Sequence, residues 1–203
     1  MLLAELSFSE PFLHDRLLAE ATRSLLNMSG IALSDLAAVA VSAGPGSFTG
    51  LRIGAAFAKA LCFENSPKLL AVPTLQAIAL AAVPAARLLG KESICVGIPS
   101  HKHLVYVQHF SLDNVPLGEI VLLDETSLRS ESDIFYTGGA FLGKVGVQTL
   151  PELCRITPAM IAGCAITRFQ EQAFMPAEDF VPLYAQEFVP KSLPNITPTL
   201  AAS

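Results

Sequence analysis

Gly44, Gly46 and Gly50 stand in "SAGPGSFTGLRIGAAFAKAL", residues 42–61, where a glycine- and proline-rich turn runs into an alanine-rich helical pattern. A turn of this kind is the usual frame of a phosphate cradle, because backbone N–H groups at a helix N-terminus attract anions. The spacings exclude the named versions. G-x-x-x-x-G-K-[ST] fails because the step from Gly44 to Gly50 is one residue too long, the step from Gly46 is too short, and no Lys follows Gly50. G-x-G-x-x-G fails by one residue, and no acidic residue stands at a strand end at the distance that a ribose contact needs. A nucleophile elbow is absent, since Ser47 directly follows Gly46. Anion binding by the bare helix N-terminus stays open. Gly44, Pro45, Gly46, Ser47 and Thr49 read as a structural turn, with Ser47 and Thr49 as candidate N-caps.

The remaining reactive side chains are sparse. His101-Lys102-His103 is an H-x-H pair, but no H-E-x-x-H exists, and no carboxylate adjacent in sequence completes a metal site; a solvated turn is the simpler reading. The cysteines, at 62, 95, 154 and 164, form no C-x-x-C and read as reduced, buried thiols.

The helix after the turn explains its glycines in another way. Gly50, Gly54, Ala58 and Cys62 recur every four residues, a stripe of small side chains that lets another backbone approach closely. Gly54 in a helix interior costs about 1 kcal/mol against alanine, so a close neighbour is expected there. That neighbour is either the chain's own sheet or a helix of another subunit.

Elements that position these residues follow from periodicity. "MLLAELS" reads as a strand. Leu13, Leu17, Leu18, Ala21 and Leu25 mark a helix over 11–28 that Gly30 ends. "LAAVAVS" is a strand, 49–63 a helix, "KLLAV" a strand and "PTLQAIALAA" a helix, so the first ninety residues alternate as an α/β layer. "SICVGI", "LVYVQHF", "EIVLLDE" and "DIFYTGG" read as strands, and Thr157 and Pro158 open a helix with Ile161, Cys164, Ala165 and Phe169 on one face. The expected organisation is an N-terminal lobe over 1–90, a C-terminal lobe over 91–187 and a disordered, proline-rich tail over 188–203.

The chain has 203 residues, 52% hydrophobic and 15% charged, with a net charge of -5. The 13 Lys and Arg are scattered, which speaks against strong direct binding of nucleic acid. The N-terminus lacks the basic region of a signal peptide. Leu69–Ala86 carries no charge, but Pro73, Thr74, Gln76 and Pro84 argue for strand plus buried helix over a membrane span.

"GPGSFTGLRIG" resembles the signature of the bacterial TsaB family, also called YeaZ. The residues from His14 through Leu61 are similar to that family's helix, Leu-Ser-Asp-Leu link, strand and signature helix in order. "LLAVPTLQAIA", "TGGA" and "FVPLYAQ" resemble later landmarks. The resemblance implies an actin-like, Hsp70-like and sugar-kinase-like (ASKHA) α/β fold of two lobes. It further implies a non-catalytic role in making threonylcarbamoyladenosine in transfer RNA, in the cytoplasm, beside a TsaD-type catalytic subunit and a TsaE-type ATPase. The implied contact is helical: His14, Leu17, Leu18, Ala21 and Leu25 on the first helix, and Gly50, Leu51, Arg52, Gly54, Ala55 and Ala58 on the second. His14 with Asp15 and Arg16, and likewise Arg52 and Lys59, are either solvated or on the rim of that contact. The same surface would make a homodimer when TsaD is absent. No cofactor is implied for the chain alone; ATP or ADP would sit in the partner or at a shared interface. The competing classes are a nucleotide-dependent kinase or hydrolase of the same fold and a metal-dependent protease.

Two departures stand out. The family begins with a strand ending in Asp-Thr-Ser and then a second strand, which this sequence lacks. The expectation is therefore a first lobe truncated at its N-terminus, with a short sheet and a native start upstream of Met1. The family's Asp-Ala-Arg-like stretch is replaced here by "PSHKHLVY".

Overall fold

The computed structural model describes residues 1–8, 14–63, 67–128, 130–143, 147 and 149–183. Helix α1 (His14–Ser29) leads through a 3-10 turn at Leu33–Asp35 to strand β1 (Ala38–Ser42). Helix α2 (Phe48–Leu61) connects β1 to β2 (Lys68–Val72), which pairs with it in parallel, Ala38 opposite Lys68 and Ser42 opposite Val72. Helix α3 (Thr74–Leu88) then passes to a second sheet of β3 (Ser93–Pro99), β4 (Leu104–Ser111), β5 (Val121–Asp124) and β6 (Ile134–Thr137), in the order β5-β4-β3-β6. Only β3 and β6 run parallel there. Helix α4 (Pro158–Gln170) closes the described fold.

Alternation along β1 and β2 sorts two layers. Val39, Val41, Leu69 and Ala71 meet Ala55 and Ala58 of α2, and Cys62 just after it, on one face. Ala38, Ala40, Leu70 and Val72 meet Ile161, Cys164 and Ala165 of α4 on the other. This is the period of two that a sheet covered on both faces requires. Helix α3 lies against α4 and turns Leu75, Ile78, Ala79, Ala82 and Ala86 onto Ile94, Val96, Ile98, Tyr106 and Phe110 of the second sheet. Helix α4 thus belongs to the packing of β1 and β2, although it follows the second sheet in sequence.

Three expectations need correction. "MLLAELS" forms no strand: residues 1–8 pair with no ladder, and are held by a hydrogen bond from Ala159 N–H to Glu5 Oε1 (3.2 Å) and one from Arg155 Nη2 to the Phe8 carbonyl (3.1 Å). An alternating pattern specifies a face but no partner. The helix opened at Pro73 does not stop near Ala82; it continues across Pro84 to Leu88, because Ala82 and Ala86 are fully buried on either side of the proline. On α4, Phe169 leaves the buried face and is 41% exposed, packing edge-on against Phe174 instead. No helix among the described residues is long and apolar enough to cross a membrane. The tail over 188–203 lies outside the described residues, as do residues 11–13 of the first helix reading.

Candidate partner-binding surface

The glycine turn is tied to neighbouring segments of the chain. Ala43 N–H donates to the Val72 carbonyl, Thr74 N–H to the Gly44 carbonyl (2.9 Å) and Leu183 N–H to the Ala43 carbonyl (2.8 Å). Ser42 Oγ and Thr74 Oγ1 share a hydrogen bond of 2.6 Å. Gly44 has φ +96° and faces the Leu183 carbonyl so closely that a Cβ would lie 2.8 Å from it. Its glycine therefore answers a crowded backbone crossing at the end of β1. The Gly44–Pro45 peptide is cis. Ser47 caps α2, its Oγ accepting from Gly50 N–H at 3.4 Å; Thr49 is inside the helix.

Helices α1 and α2 lie together on the outer side of the first sheet. On α2, Leu51, Ala55 and Ala58 are buried, as is Cys62 just after it. A Cβ on Gly54 would meet Val41 of β1 at 3.8 Å. The small-residue stripe is thus turned toward the chain's own sheet. The outward stripe is two positions away: Phe48, Arg52, Ala56 and Ala60 are exposed at four-residue steps, and Phe63 follows at 75% exposure. Arg52 lies over the Phe48 ring, its guanidinium carbon 5.4 Å from the centroid. Sequence reading missed this stripe because the glycines drew attention to spacing; the aromatic residues at both ends are its signal. On α1, Leu17, Leu18, Ala21 and Leu25 are half-buried, Met28 is 70% exposed, and His14 opens the helix. Of the residues singled out for a helical contact, Arg52 is therefore exposed, Gly50, Gly54 and the four α1 side chains are half-buried, and Leu51, Ala55 and Ala58 are covered by the chain itself.

A second apolar feature lies on the opposite face of the same sheet. A groove of about 860 Å³ runs between β1 and α4, lined by Ala38, Ala40, Ala162, Ile166 and Phe169 among others. β1 has β2 on one side and no strand among the described residues on the other. Among the described residues the first sheet is therefore two-stranded.

The ionisable groups shifted by burial lie in the packed layers behind these features and in the second sheet. Burial raises the thiols of Cys62 and Cys164, and with Glu131 it pushes Cys95 up to about 12. Burial lowers His109, against a smaller opposing pull from Glu131. His103 Nδ1 pairs with Glu125 Oε1 at 3.0 Å, a carboxylate that sequence adjacency did not reveal. His101 Nδ1 meets Ser100 Oγ at 3.2 Å. No group of three His, Cys, Asp or Glu that could hold a metal gathers among the described residues.

The parallel β1–α2–β2 unit, the second mixed sheet and the helices between them define an ASKHA-like α/β protein. The family model described as TsaD: tRNA N6-adenosine threonylcarbamoyltransferase matches residues 12–122, more than half of the chain. The chain belongs to that family, in its TsaB/YeaZ branch. It is similar to "tRNA threonylcarbamoyladenosine biosynthesis protein TsaB" of Bacillus subtilis, 42% identical over 59 residues, covering 29% of this chain and 26% of that protein. The proteins so named from Escherichia coli and Haemophilus influenzae are 36% identical over 66 residues (32% and 29% covered) and 32% identical over 93 residues (46% and 38%). The match thus spans well under half the length of these curated relatives. Among solved structures, a Pseudomonas aeruginosa protein described as similar to peptidase YEAZ aligns with TM-score 0.70 and 27% identity over 86% of this chain and 85% of its own. YeaZ from Pseudomonas aeruginosa aligns with TM-score 0.67 and 26% identity over 84% and 85%.

Proposed function

We propose that the chain is a non-catalytic subunit of a cytoplasmic assembly that makes threonylcarbamoyladenosine in transfer RNA, and that it docks on a TsaD-type catalytic subunit through α1 and α2. The observation that carries this reading is the outward stripe of α2, where Phe48, Arg52 and Phe63 are exposed beside an apolar α1. Aromatic residues and arginine are the side chains that anchor protein interfaces. The names of the relatives supply the pathway. The glycine turn supports a structural role, since the Gly44 carbonyl accepts from Thr74 N–H and the Ala43 carbonyl from Leu183 N–H, tying the turn to the start of α3 and to the segment at Leu183. ATP or ADP belongs, on this reading, to the partner or a shared interface, and a TsaE-type ATPase is a further member. In the partner's absence the same surface joins two copies.

The test is co-purification with the TsaD-type subunit of the same organism, followed by reconstituted modification of transfer RNA. A stable complex whose activity needs this chain is the expected result. No complex, or ATP turnover by this chain alone at an enzyme's rate, would sink the reading in favour of a kinase or hydrolase.

A further inference from the structure

We infer that residues 1–7 are a strap that closes the groove between β1 and α4 by settling as an extended strand beside β1. The structure holds this segment at the mouth of the groove, unpaired, with Met1, Leu2 and Leu3 exposed to water. Glu5 Oε1 accepts from Ala159 N–H at the start of α4, and the Phe8 carbonyl accepts from Arg155 Nη2. Ala159 follows Pro158, which lines one end of the groove. Helix α4 runs opposite to β1: shortly past its C-terminal end, Met175 bridges to Leu69, which lies opposite Val39 near the start of β1. The start of α4 is therefore at the Ser42 end of β1. From the anchor at Glu5, residues 1–4 can run back along β1 toward Ala38.

The backbone of β1 is laid out for such a strand. Lys68 N–H donates to the Ala37 carbonyl and Ala43 N–H to the Val72 carbonyl, so the odd-numbered residues turn their backbone groups toward β2. Ala38, Ala40 and Ser42 turn theirs to the side where no strand lies among the described residues. The Glu5 anchor sets the register. Two strand residues advance about 6.6 Å, close to the rise of about 6 Å over four helical residues. With Glu5 at Ala159, Leu3 comes over Ala162 and Met1 over Ile166, and both of these helix residues are exposed and line the groove. Leu3 then stands beside Ala40, whose side chain also faces α4. The connection fits as well. A strand in this place, followed by α1 and β1, is a parallel crossover that steps the same way as β1–α2–β2. Crossovers of one hand leave both helices on one face of the sheet, and α1 does lie beside α2. Closure would bury Met1 and Leu3 in an apolar groove and pair an open strand edge.

The experiment traps the strap in the full chain. Leu3→Cys is combined with Ala40→Cys and, as a control of phase, Leu2→Cys with Ala40→Cys, under mild oxidation. Neighbouring strands bring Cα atoms within the roughly 4.5–7 Å that a disulfide needs. The Leu3 pair should close at least about tenfold faster than the Leu2 pair, because successive side chains of a strand point to opposite faces. Peptide mass analysis of a mixture of isotope-labelled and unlabelled chains separates bridges within a chain from bridges between chains. Hydrogen exchange in the wild type and in Leu3→Asp gives an independent reading. The amides of Ala40 and Ser42 should exchange at least about tenfold faster in the variant, while that of Val41, which faces β2, keeps its rate and reports an intact fold. Equal closure of the two pairs, closure of neither, or Ala40 and Ser42 rates that ignore Leu3→Asp overturns the strap. Bridges formed mainly between chains overturn it too, and give the groove to the same segment of a second copy.

Discussion

β1 and β3 are both short apolar strands, yet they end in different environments. Every residue from Ile94 to Ile98 of β3 is buried, whereas all five residues of β1 are partly exposed. The difference lies in the neighbours. β3 has β4 on one side and β6 on the other, α3 across one face, and Phe141 on the other face. Among the described residues β1 has β2 alone beside it, with helices above and below. Apolar composition makes burial favourable; the number of ladder partners decides whether it is achieved. The second sheet is a closed core, while the first, among the described residues, leaves a helix face and a strand edge open.

The largest effect that would sharpen this contrast comes from a glycine in the closed core. Gly138 has φ +92°, and a Cβ there would run into the carbonyl of Gly97. Gly97 is itself hemmed in by the Phe141 ring, so neither backbone can retreat. Gly138→Ala should destabilise the fold by on the order of 3 kcal/mol or more, combining a disfavoured backbone with a backbone collision. Denaturant unfolding measures it, and a loss under about 1 kcal/mol would show that the second sheet yields more readily than its packing implies.

Alkaline pH gives the next contrast. Burial, reinforced by Glu131, raises the Cys95 thiol from its ordinary 9.0 to about 12. An unfolded chain releases that proton first as the pH climbs, so the folded state holds more protons between these values. Stability due to Cys95 is then complete below about pH 9 and is lost as the pH rises toward the folded value. Cys95→Ala should flatten the fall in stability above pH 9. Cys62, just after α2 and packed against the first sheet, is also raised by burial, and its replacement should flatten the fall less. Equal slopes for the two variants would erase the distinction between the regions at these sites.

How much of this was readable beforehand differs between the regions for the same reason. The strands at Lys68–Val72, Ser93–Pro99 and Leu104–Ser111 were legible because an apolar run bounded by turn residues leaves few alternatives. Thr157 and Pro158 were legible as the opening of a helix, where Thr157 Oγ1 accepts from Met160 N–H. The orientation of α2 was not. Gly50, Gly54 and Ala58 state that something comes close, and only the contact with Val41 identifies the chain's own sheet as that neighbour. "MLLAELS" misled for a related reason, since sequence cannot show whether a ladder partner exists. The Phe48–Arg52 pair was hidden because an exposed aromatic and a core aromatic look alike in a helical repeat.

That orientation yields a smaller prediction. Gly54 is inside α2 with room for a methyl group, 3.8 Å from Val41. Gly54→Ala should therefore stabilise the protein by about 0.5–1 kcal/mol, the helix preference of alanine over glycine, and leave affinity for the TsaD-type subunit unchanged. Weaker binding with normal stability would move Gly54 back to the partner interface.

The smallest effect on stability concerns the open side of the first sheet. Ile166 is 60% exposed beside Phe169 on α4, lining the groove beside β1, whose far edge has no strand partner among the described residues. Contiguous apolar surface next to a free strand edge promotes association between chains. Ile166→Lys should change folding stability by no more than about 0.5 kcal/mol, because the side chain is already largely in water. It should nevertheless lower light scattering in concentrated samples. Leu117 supplies the control: it is 58% exposed between β4 and β5, and its replacement by Lys changes the net charge equally. If only Ile166→Lys suppresses scattering, the sticky surface belongs to the first sheet. If both do so to the same extent, net charge is responsible, and the exposed edge of β1 is as inert toward other chains as the buried strands of the second sheet.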